Sequence, residues 1–236
     1  MYRHAAFLVR QAGMTHEAFV EHWQHEHTPI AREIEGVVRY LTTTPLDPEG
    51  AAFDGIADLY FDDLDALHDA LGGEGSRDYD PDKEMAAKAR EDVDDFLAVT
   101  ERPRLIGEEQ AHVDGPDSRY RRSILLTRRP EMSHDEFRDY WLDEHVPLVR
   151  ELPGLARYTA TLPTAPEHAE FDGVADLYFD DLDALWASTG RETDSYDPGD
   201  PEQVAVRRDA TEFLDLDALR QFAGETTVQK DRPDSE

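Results

Sequence analysis

The sequence contains no cysteine and no asparagine, and only three of its 236 residues are lysine. Without cysteine the chain cannot form disulfides, use a thiolate nucleophile, or bind zinc or an iron–sulfur cluster through sulfur. No window of the sequence has the length and apolar character of a signal peptide or a membrane span. We therefore expect a cytoplasmic protein.

Basic residues are also scarce relative to acidic ones, with 24 against 54 and a net charge of −30. Such a surface repels phosphate backbones and anionic lipids, so we expect neither nucleic acid nor membrane partners. The acidic residues are spread over both halves of the chain. In molar salt the screening length shrinks to about 3 Å and this self-repulsion becomes tolerable. We interpret the charge as salt adaptation and predict a halophilic source.

One segment of the sequence is written twice. Residues 2–68 and 120–186 align without a gap at an offset of 118, and residues 58–67 recur letter for letter at 176–185. A period this long indicates a duplicated domain, because solenoid units are usually about 20–50 residues long. The predicted organisation is a domain at 1–113, a linker at 114–118, a second domain at 119–230 and a disordered tail at 231–236.

Each repeat predicts the element order β-α-β-β-α-β, which is typical of a ferredoxin-like unit. In repeat 1 we expect strands at 5–9, 37–43, 55–61 and 104–113. The expected helices follow the N-cap Thr15, begin again near 62, and span about 82–97. Two such sheets each leave one face uncovered by helices, and the simplest solution packs sheet on sheet within the molecule. The predicted fold is therefore α+β, a monomeric pseudo-twofold barrel of two tandem ferredoxin-like domains.

An aromatic stripe runs along the first helix of each repeat. Phe19, Trp23 and His27 stand at i, i+4 and i+8, which is one face of an α-helix. The equivalent residues of repeat 2 are Phe137, Trp141 and His145. Pro29 and Pro147 cannot donate a backbone hydrogen bond, so the helix should be kinked or restarted there. We predict that this stripe lines a pocket between helix and sheet.

These motifs resemble the EthD domain. The likeness rests on the pattern from Met14 through His27 to Pro29, on Arg39-Tyr40, and on residues 53–63, and it recurs in repeat 2. The resemblance implies the dimeric α+β-barrel superfamily, where separate chains normally supply the two units. Relatives include cofactor-free lactone isomerases, dehydratases and monooxygenases that act on small cyclic or aromatic compounds. The family takes its name from a gene cluster for ether degradation by an oxygenase.

The resemblance also implies candidate catalytic residues. Some similar lactone isomerases use a His at the position of His27 and His145, a Tyr at that of Tyr40 and Tyr158, and a loop His. Repeat 2 has His168 in that loop, where repeat 1 has Gly50. The resemblance thus favours repeat 2 as the active half.

The residues themselves leave alternatives open. A buried His could be a neutral general base, or a core residue that bonds a carbonyl freed by the following proline. A strand Tyr could polarise a carbonyl oxygen with a His as its partner, or simply pack. Asp58 and Asp176 lie in the middle of apolar strands, so each is a pocket acid or the partner of an Arg or His.

The histidines at 22, 25 and 27 form a cluster that resembles a metal site. The counterparts in repeat 2 are Tyr140, Asp143 and His145, and neither half has a His-Glu-x-x-His spacing. We therefore predict no metal, and expect His22 and His25 to be solvated.

The function expected from all of this is that of a cofactor-free enzyme. It would act on a small cyclic, lactone-like or aromatic compound by His/Tyr acid–base chemistry, as an isomerase, dehydratase or oxidoreductase. The alternative is a non-catalytic protein that binds such compounds or delivers them to an oxygenase.

Overall fold

The computed structural model describes residues 1–73, 79–98, 100, 102–190 and 199–232. The chain divides into two compact units. Unit 1 comprises Met1–Ile106 and Thr227–Glu236, and unit 2 comprises Gly107–Thr226. No helix in the described ranges combines the length and apolar character that crossing a bilayer requires.

Unit 1 follows the predicted order of elements. Its strands are β1 (Tyr2–Leu8), β2 (Arg39–Pro45), β3 (Gly55–Phe61) and the start of β4 (Arg104–Val113). Its helices are α1 (His16–His22), α2 (Thr28–Ala31), α3 (Leu64–Ala70) and α4 (Glu84–Phe96), and a π-helical segment (Trp23–His27) joins α1 to α2. Strand β3 pairs antiparallel with both β1 and β2.

Unit 2 repeats this order. Its strands are β5 (Tyr120–Leu126), β6 (Leu155–Pro163), β7 (Gly173–Phe179) and most of β8 (Arg220–Lys230). Its helices are α5 (His134–Tyr140), α6 (Val146–Val149), α7 (Leu182–Thr189) and α8 (Pro201–Phe213), with a second π-helical segment (Trp141–His145) and a 3₁₀ turn (Pro166–His168). Strand β7 pairs antiparallel with β5 and β6, and β5 also pairs with β8.

The predicted fold class is confirmed. The chain has the α+β fold with two ferredoxin-like repeats, and the strands of each unit pair antiparallel with one another. The predicted bounds of β3 and β4 are those observed. The first strand begins at Tyr2 and not at the predicted residue 5. Arg3 and His4 are polar and were therefore placed outside the strand, although both are buried within it.

Short sequence signals fix the ends of the first helix in each repeat. The side chain of Thr15 accepts a hydrogen bond from the Ala18 amide, and Ser133 and Glu136 form a full capping box in repeat 2. The chain leaves this region through Gly36 and Gly154, whose φ angles of +84° and +72° lie in the left-handed region that glycine tolerates best.

The prediction of one α-helical stripe across the site histidines was wrong in its geometry. Residues 23–27 and 141–145 form π-helix, in which the Thr28 amide donates to the Trp23 carbonyl five residues back. Pro29 is the physical reason, because its ring would collide with the carbonyl of His25 in a regular α-helix and it offers no N–H. The wider turn keeps Trp23 and His27 on the buried side.

Strand alternation assigns each side chain of unit 2 to one face of its sheet. On β7, Ala175 and Leu177 lie in the core cluster with the helices, whereas Asp176 between them points to the opposite face. Tyr158 on β6 lies in the same cluster. The helix-covered face therefore carries the candidate site.

Candidate functional site

A cavity of about 130 Å³ lies within unit 2, between its helices and its sheet. Most of its walls are apolar side chains, including Trp141, Leu152 and Leu177. Polar groups reach it from several elements, and they include Arg122 on β5, His145 at the end of the π-helical segment, Tyr158 on β6 and Gln203 on α8. An apolar chamber with a few converging polar groups is the usual form of a small-molecule site.

His145 is held against the wall of this cavity by a carboxylate. Its Nδ1 lies 2.7 Å from Oδ2 of Asp209 on α8, and its ring packs on Phe213 with centroids 4.9 Å apart. The other carboxylate oxygen of Asp209 accepts a hydrogen bond of 2.9 Å from the Tyr140 hydroxyl. The chain Tyr140–Asp209–His145 thus orients the imidazole from behind.

The charge state of His145 follows from these contacts. Burial lowers the pKa of His145 below its ordinary value, and the Asp209 carboxylate opposes that shift. In the neutral ring, a carboxylate at Nδ1 favours the proton on that nitrogen. Nε2 then carries the lone pair, and a neutral imidazole in this tautomer is a general base.

Tyr158 is the second polar group, and its partner was predicted wrongly. We expected a His on the covering helix, but the Tyr158 hydroxyl accepts a 3.0 Å hydrogen bond from Nε1 of Trp141. Burial raises the pKa of Tyr158, so the hydroxyl keeps its proton. With one lone pair engaged by the indole, that proton is the group it can offer to a ligand oxygen.

Trp141 is placed by a glycine. A Cβ at Gly173 would lie 2.5 Å from Cζ3 of Trp141 and 3.3 Å from the Thr161 carbonyl oxygen. Gly55 has the same relation to Trp23 in unit 1. The glycine that opens β7 therefore lets the indole approach the strand closely, and this approach seats Trp141 over Tyr158.

Unit 1 repeats the histidine but differs around it. Nδ1 of His27 lies 2.8 Å from Asp92, and His22 takes the place of Tyr140, with its Nε2 2.9 Å from the same carboxylate. Burial lowers the pKa of His27 as well, against the opposing effect of Asp92. The Tyr40 hydroxyl lies 3.5 Å from Oγ1 of Thr28.

Buried apolar side chains surround Tyr40 in unit 1. Leu71 and Tyr79 are buried in the same cluster as Tyr40. The counterpart of Leu71 is Thr189, which lines the cavity of unit 2. The counterpart of Tyr79 is Tyr196, and the Tyr-Asp-Pro element at 196–198, which the sequence pattern indicates as a turn or a helix start, lies outside the described residues.

Asp58 and Asp176 belong to the opposite sheet face, where each pairs with an arginine. Nε of Arg3 donates to Asp58 at 2.8 Å, and Nε of Arg121 donates to Asp176 at 2.9 Å. All four side chains are fully buried. Of the two roles considered for these aspartates, the structure places them as ion-pair partners and not among the residues that line the cavity.

The remaining candidates are distributed as follows. His168 ends the 3₁₀ turn with 78% of its side chain exposed, beside Glu167, and it does not line the cavity. Trp141 lines the cavity, whereas Phe137 packs behind it in the core. Phe19 and Trp23 occupy the equivalent core positions of unit 1.

The histidine cluster of repeat 1 is not gathered around a metal position. Among the described residues no group of three or more His, Asp or Glu side chains is arranged to hold an ion. His25 is exposed as predicted. His22 is only partly exposed, with 26% of its side chain accessible, because it bonds Asp92 and stacks on Phe96 with ring centroids 4.8 Å apart.

Two residue types in the site were missed from the sequence. The first is the carboxylate beneath each histidine, Asp92 and Asp209, which a comparison of the repeats could have flagged as an aspartate at one helix position in both. The second is Arg122, whose counterpart in repeat 1 is His4. The sequence signal available for Arg122 was the difference in charge between the two repeats at this strand position.

Comparison with known proteins identifies the family. The EthD domain model matches residues 11–100 and 129–217. Among curated proteins none matches this chain. An anthrone oxidase-like protein of known structure is similar with a TM-score of 0.63 at 10% identity, over 100% of this chain and 95% of that one.

A second solved structure is similar over a comparable length. It is a mutant chlorite dismutase from Candidatus Nitrospira defluvii, with a TM-score of 0.51 at 10% identity, over 96% of this chain and 91% of that one. At such identities the likeness concerns the fold alone. The two matched segments of the domain model, however, cover more than half of the sequence. The chain therefore belongs to the EthD domain family and carries two copies of its domain.

Proposed function

We propose that unit 2 is an enzyme that removes a proton next to a carbonyl group of a small cyclic, lactone-like or aromatic compound. His145 is the base and Tyr158 is the hydrogen-bond donor to the carbonyl oxygen. The observation that carries the proposal is their common cavity, in which each side chain is oriented by its own partner, Asp209 or Trp141.

The base has the features that proton abstraction requires. His145 is neutral near pH 7 because burial lowers its pKa, and Asp209 stabilises the imidazolium that forms when Nε2 takes the proton. A negative charge develops on the carbonyl oxygen in the same step. A hydrogen bond from the Tyr158 hydroxyl opposes that charge in a cavity lined mainly by apolar side chains.

The apolar walls support a cyclic or aromatic substrate, since rings fit between aliphatic and indole side chains without polar partners. Isomerisation, dehydration and attack on dioxygen can all begin with the same carbanion or enolate. The oxidoreductase names of the similar structures, anthrone oxidase-like and chlorite dismutase, support an oxidative outcome within this group. His168 and Asp176 have no place in the proposed reaction.

The test is hydrogen exchange into compounds with an acidic C–H beside a carbonyl. Anthrone, 2-coumaranone and a set of γ-lactones are incubated with the protein in D₂O, and deuterium incorporation is followed by proton NMR against the uncatalysed rate. We expect catalysed exchange that falls about 10²–10⁴-fold in His145→Gln and about 10²–10³-fold in Tyr158→Phe. The matched unit 1 variants His27→Gln and Tyr40→Phe should exchange at the parent rate.

The exchange assay also separates catalysis from delivery. If no compound exchanges above background although native mass spectrometry detects bound ligand in the parent and in His145→Gln, the enzyme proposal is wrong. The protein is then a carrier. Equal losses in the unit 1 and unit 2 variants would contradict the assignment of the activity to unit 2.

A further inference from the structure

Arg122 is a buried cation at the wall of the cavity. It lies on β5 with only 4% of its surface exposed, and it lines the chamber together with His145 and Tyr158. Burial lowers the pKa of Arg122 to about 10, so the guanidinium remains charged at neutral pH. Keeping a full charge inside an apolar core is costly unless an opposite charge or several hydrogen bonds compensate it.

The described residues around Arg122 compensate its charge with hydrogen-bond acceptors and an aromatic ring. Nε and Nη2 of Arg122 donate to Oγ1 of Thr189 at 3.3 and 3.2 Å, and Nη2 also donates to the Gly190 carbonyl. Both acceptors lie at the C-terminal end of α7, where the helix dipole favours a cation. The guanidinium also packs over the Trp186 ring, 5.5 Å from its centroid. Within the described part of the chain, no carboxylate forms an ion pair with Arg122.

The neighbouring arginine shows the usual solution. Arg121 points to the other sheet face, is fully buried as well, and pairs with Asp176. Strand β5 thus carries two adjacent buried arginines. Arg121 has an ion-pair partner and points away from the cavity, whereas Arg122 lines it. The counterpart of Arg122 in unit 1 is His4. Burial, with a smaller effect from the charges of Arg104 and Arg102, lowers the pKa of His4 to about 3. Unit 1 therefore has a neutral side chain at this position.

We propose that Arg122 binds a carboxylate group of the ligand that occupies the unit 2 cavity. The ligand class is then a small cyclic or aromatic acid, with its anionic group at β5 and its ring among the apolar side chains of the chamber. A carboxylate supplies an opposite charge, which no described residue provides to this guanidinium, and arginine can bind it through two parallel hydrogen bonds. The inference rests on the proposed function for its choice of cavity, but anion binding is measurable without turnover.

The test compares matched charged and neutral ligands. Phenylacetate, benzoate and 2-furoate are titrated against the parent protein by isothermal calorimetry, each beside its primary amide, at one fixed salt concentration. We expect at least one acid to bind about 10- to 100-fold more tightly than its amide, because a hydrogen bond to a charged group contributes more than a neutral one. If no acid binds more tightly than its amide, the proposal is overturned, and this arm needs no variant.

Variants then locate the cation. In Arg122→Gln the preference for the acid should disappear while amide affinity stays the same, and Arg122→Lys should restore part of it. His4→Gln, at the matched position of unit 1, should leave acid binding unchanged. The cavity lining contains a second arginine, Arg207 on α8. Loss of the preference in Arg207→Gln, with Arg122→Gln unaffected, would refute the assignment.

One further variant separates this inference from the proposed reaction. His145→Gln should still bind the acid, because the anion site does not involve the base. If the parent protein binds the acid but catalyses no exchange, Arg122 remains an anion site and the enzyme proposal is wrong. If the parent protein catalyses exchange of neutral compounds but shows no preference for acids, the enzyme proposal stands and the anion site is wrong.

Discussion

The carboxylate of Asp209 offers the sharpest test of the site, through the substitution Asp209→Asn. Asn has the same shape and can still bond both neighbours, the Tyr140 hydroxyl at 2.9 Å and Nδ1 of His145 at 2.7 Å. The substitution therefore removes the negative charge and retains the hydrogen bonds. We expect a folded protein whose free energy of unfolding at pH 8 changes by less than about 1 kcal/mol.

The charge has a defined effect on the base. A hydrogen bond to a charged group is worth about 1.5–3 kcal/mol and a neutral one about 0.5–1.5 kcal/mol, so the imidazolium formed in the reaction loses about 1–2 kcal/mol of stabilisation. That loss corresponds to about 5- to 30-fold in the rate of proton transfer. The pKa of His145 should also fall further, because the group that raises it is gone.

The same substitution has a consequence for pH stability. The folded-state pKa of His145 lies below its ordinary value of 6.5, so protons bind the unfolded chain better and stability falls as the pH drops from 6.5 toward the folded-state pKa. In Asp209→Asn this window extends to lower pH, and the acid-induced loss of stability is greater.

Three measurements check the reasoning on Asp209. They are NMR titration of the His145 ring, the exchange rate for an enolisable ketone, and thermal unfolding between pH 5 and 8. The control is Asp92→Asn, which makes the same change beneath His27. An unchanged exchange rate in Asp209→Asn, or a His145 pKa that rises, would refute the role given to the carboxylate.

The structure makes three further predictions. Trp141→Phe should cost up to about 1 kcal/mol more in unfolding free energy than Trp23→Phe, because the Trp141 indole donates a well-formed 3.0 Å bond to Tyr158. Nε1 of Trp23 lies near enough to Tyr40 to oppose the rise of its pKa, but it meets no partner at hydrogen-bonding geometry among the described residues; equal losses in urea unfolding would contradict this prediction. Asp176→Asn should cost about 3–5 kcal/mol by chemical denaturation, since it removes the ion-pair partner of a fully buried arginine, and a loss of exchange activity at unchanged stability would instead assign Asp176 a chemical role. His4 stays neutral down to a pKa of about 3, so the parent should lose up to about 1.4 kcal/mol per pH unit below 6.5 relative to His4→Gln; parallel stability–pH curves would show that His4 is not buried in the neutral form.

Local sequence signals predicted most of the fold. The capping box at Ser133, the glycines after the first helices and the strand pattern along residues 55–61 are local sequence signals that each act over a few residues, and all three are present in the structure. The repeat added confirmation, because the same signals recur 118 residues later. The π-helical turns escaped prediction because Trp23 and His27 face the core in either helix type, so the pattern of buried residues does not distinguish them.

The candidate site was less predictable because its contacts are distant in sequence. Asp209 lies 64 residues from His145, and the sequence near either residue carries no local signal that the two are in contact. Arg122 stands in a run of polar letters that reads as a strand end, yet it is buried and lines the cavity. His168 is the reverse case. The family resemblance selected this loop position as a site residue, and its side chain is exposed on the surface.

The π-helical turn also indicates which features of the protein existed before the domain was duplicated. Both repeats carry the turn with its tryptophan and histidine, and both place an aspartate beneath that histidine. Such features were inherited from a single ancestral copy that existed before the duplication. The pair His4 and Arg122, identical in position but different in charge, records a change made afterwards. The oriented histidine is thus older than the duplication, whereas the charge difference between positions 4 and 122 arose after it, whichever of the two residues changed.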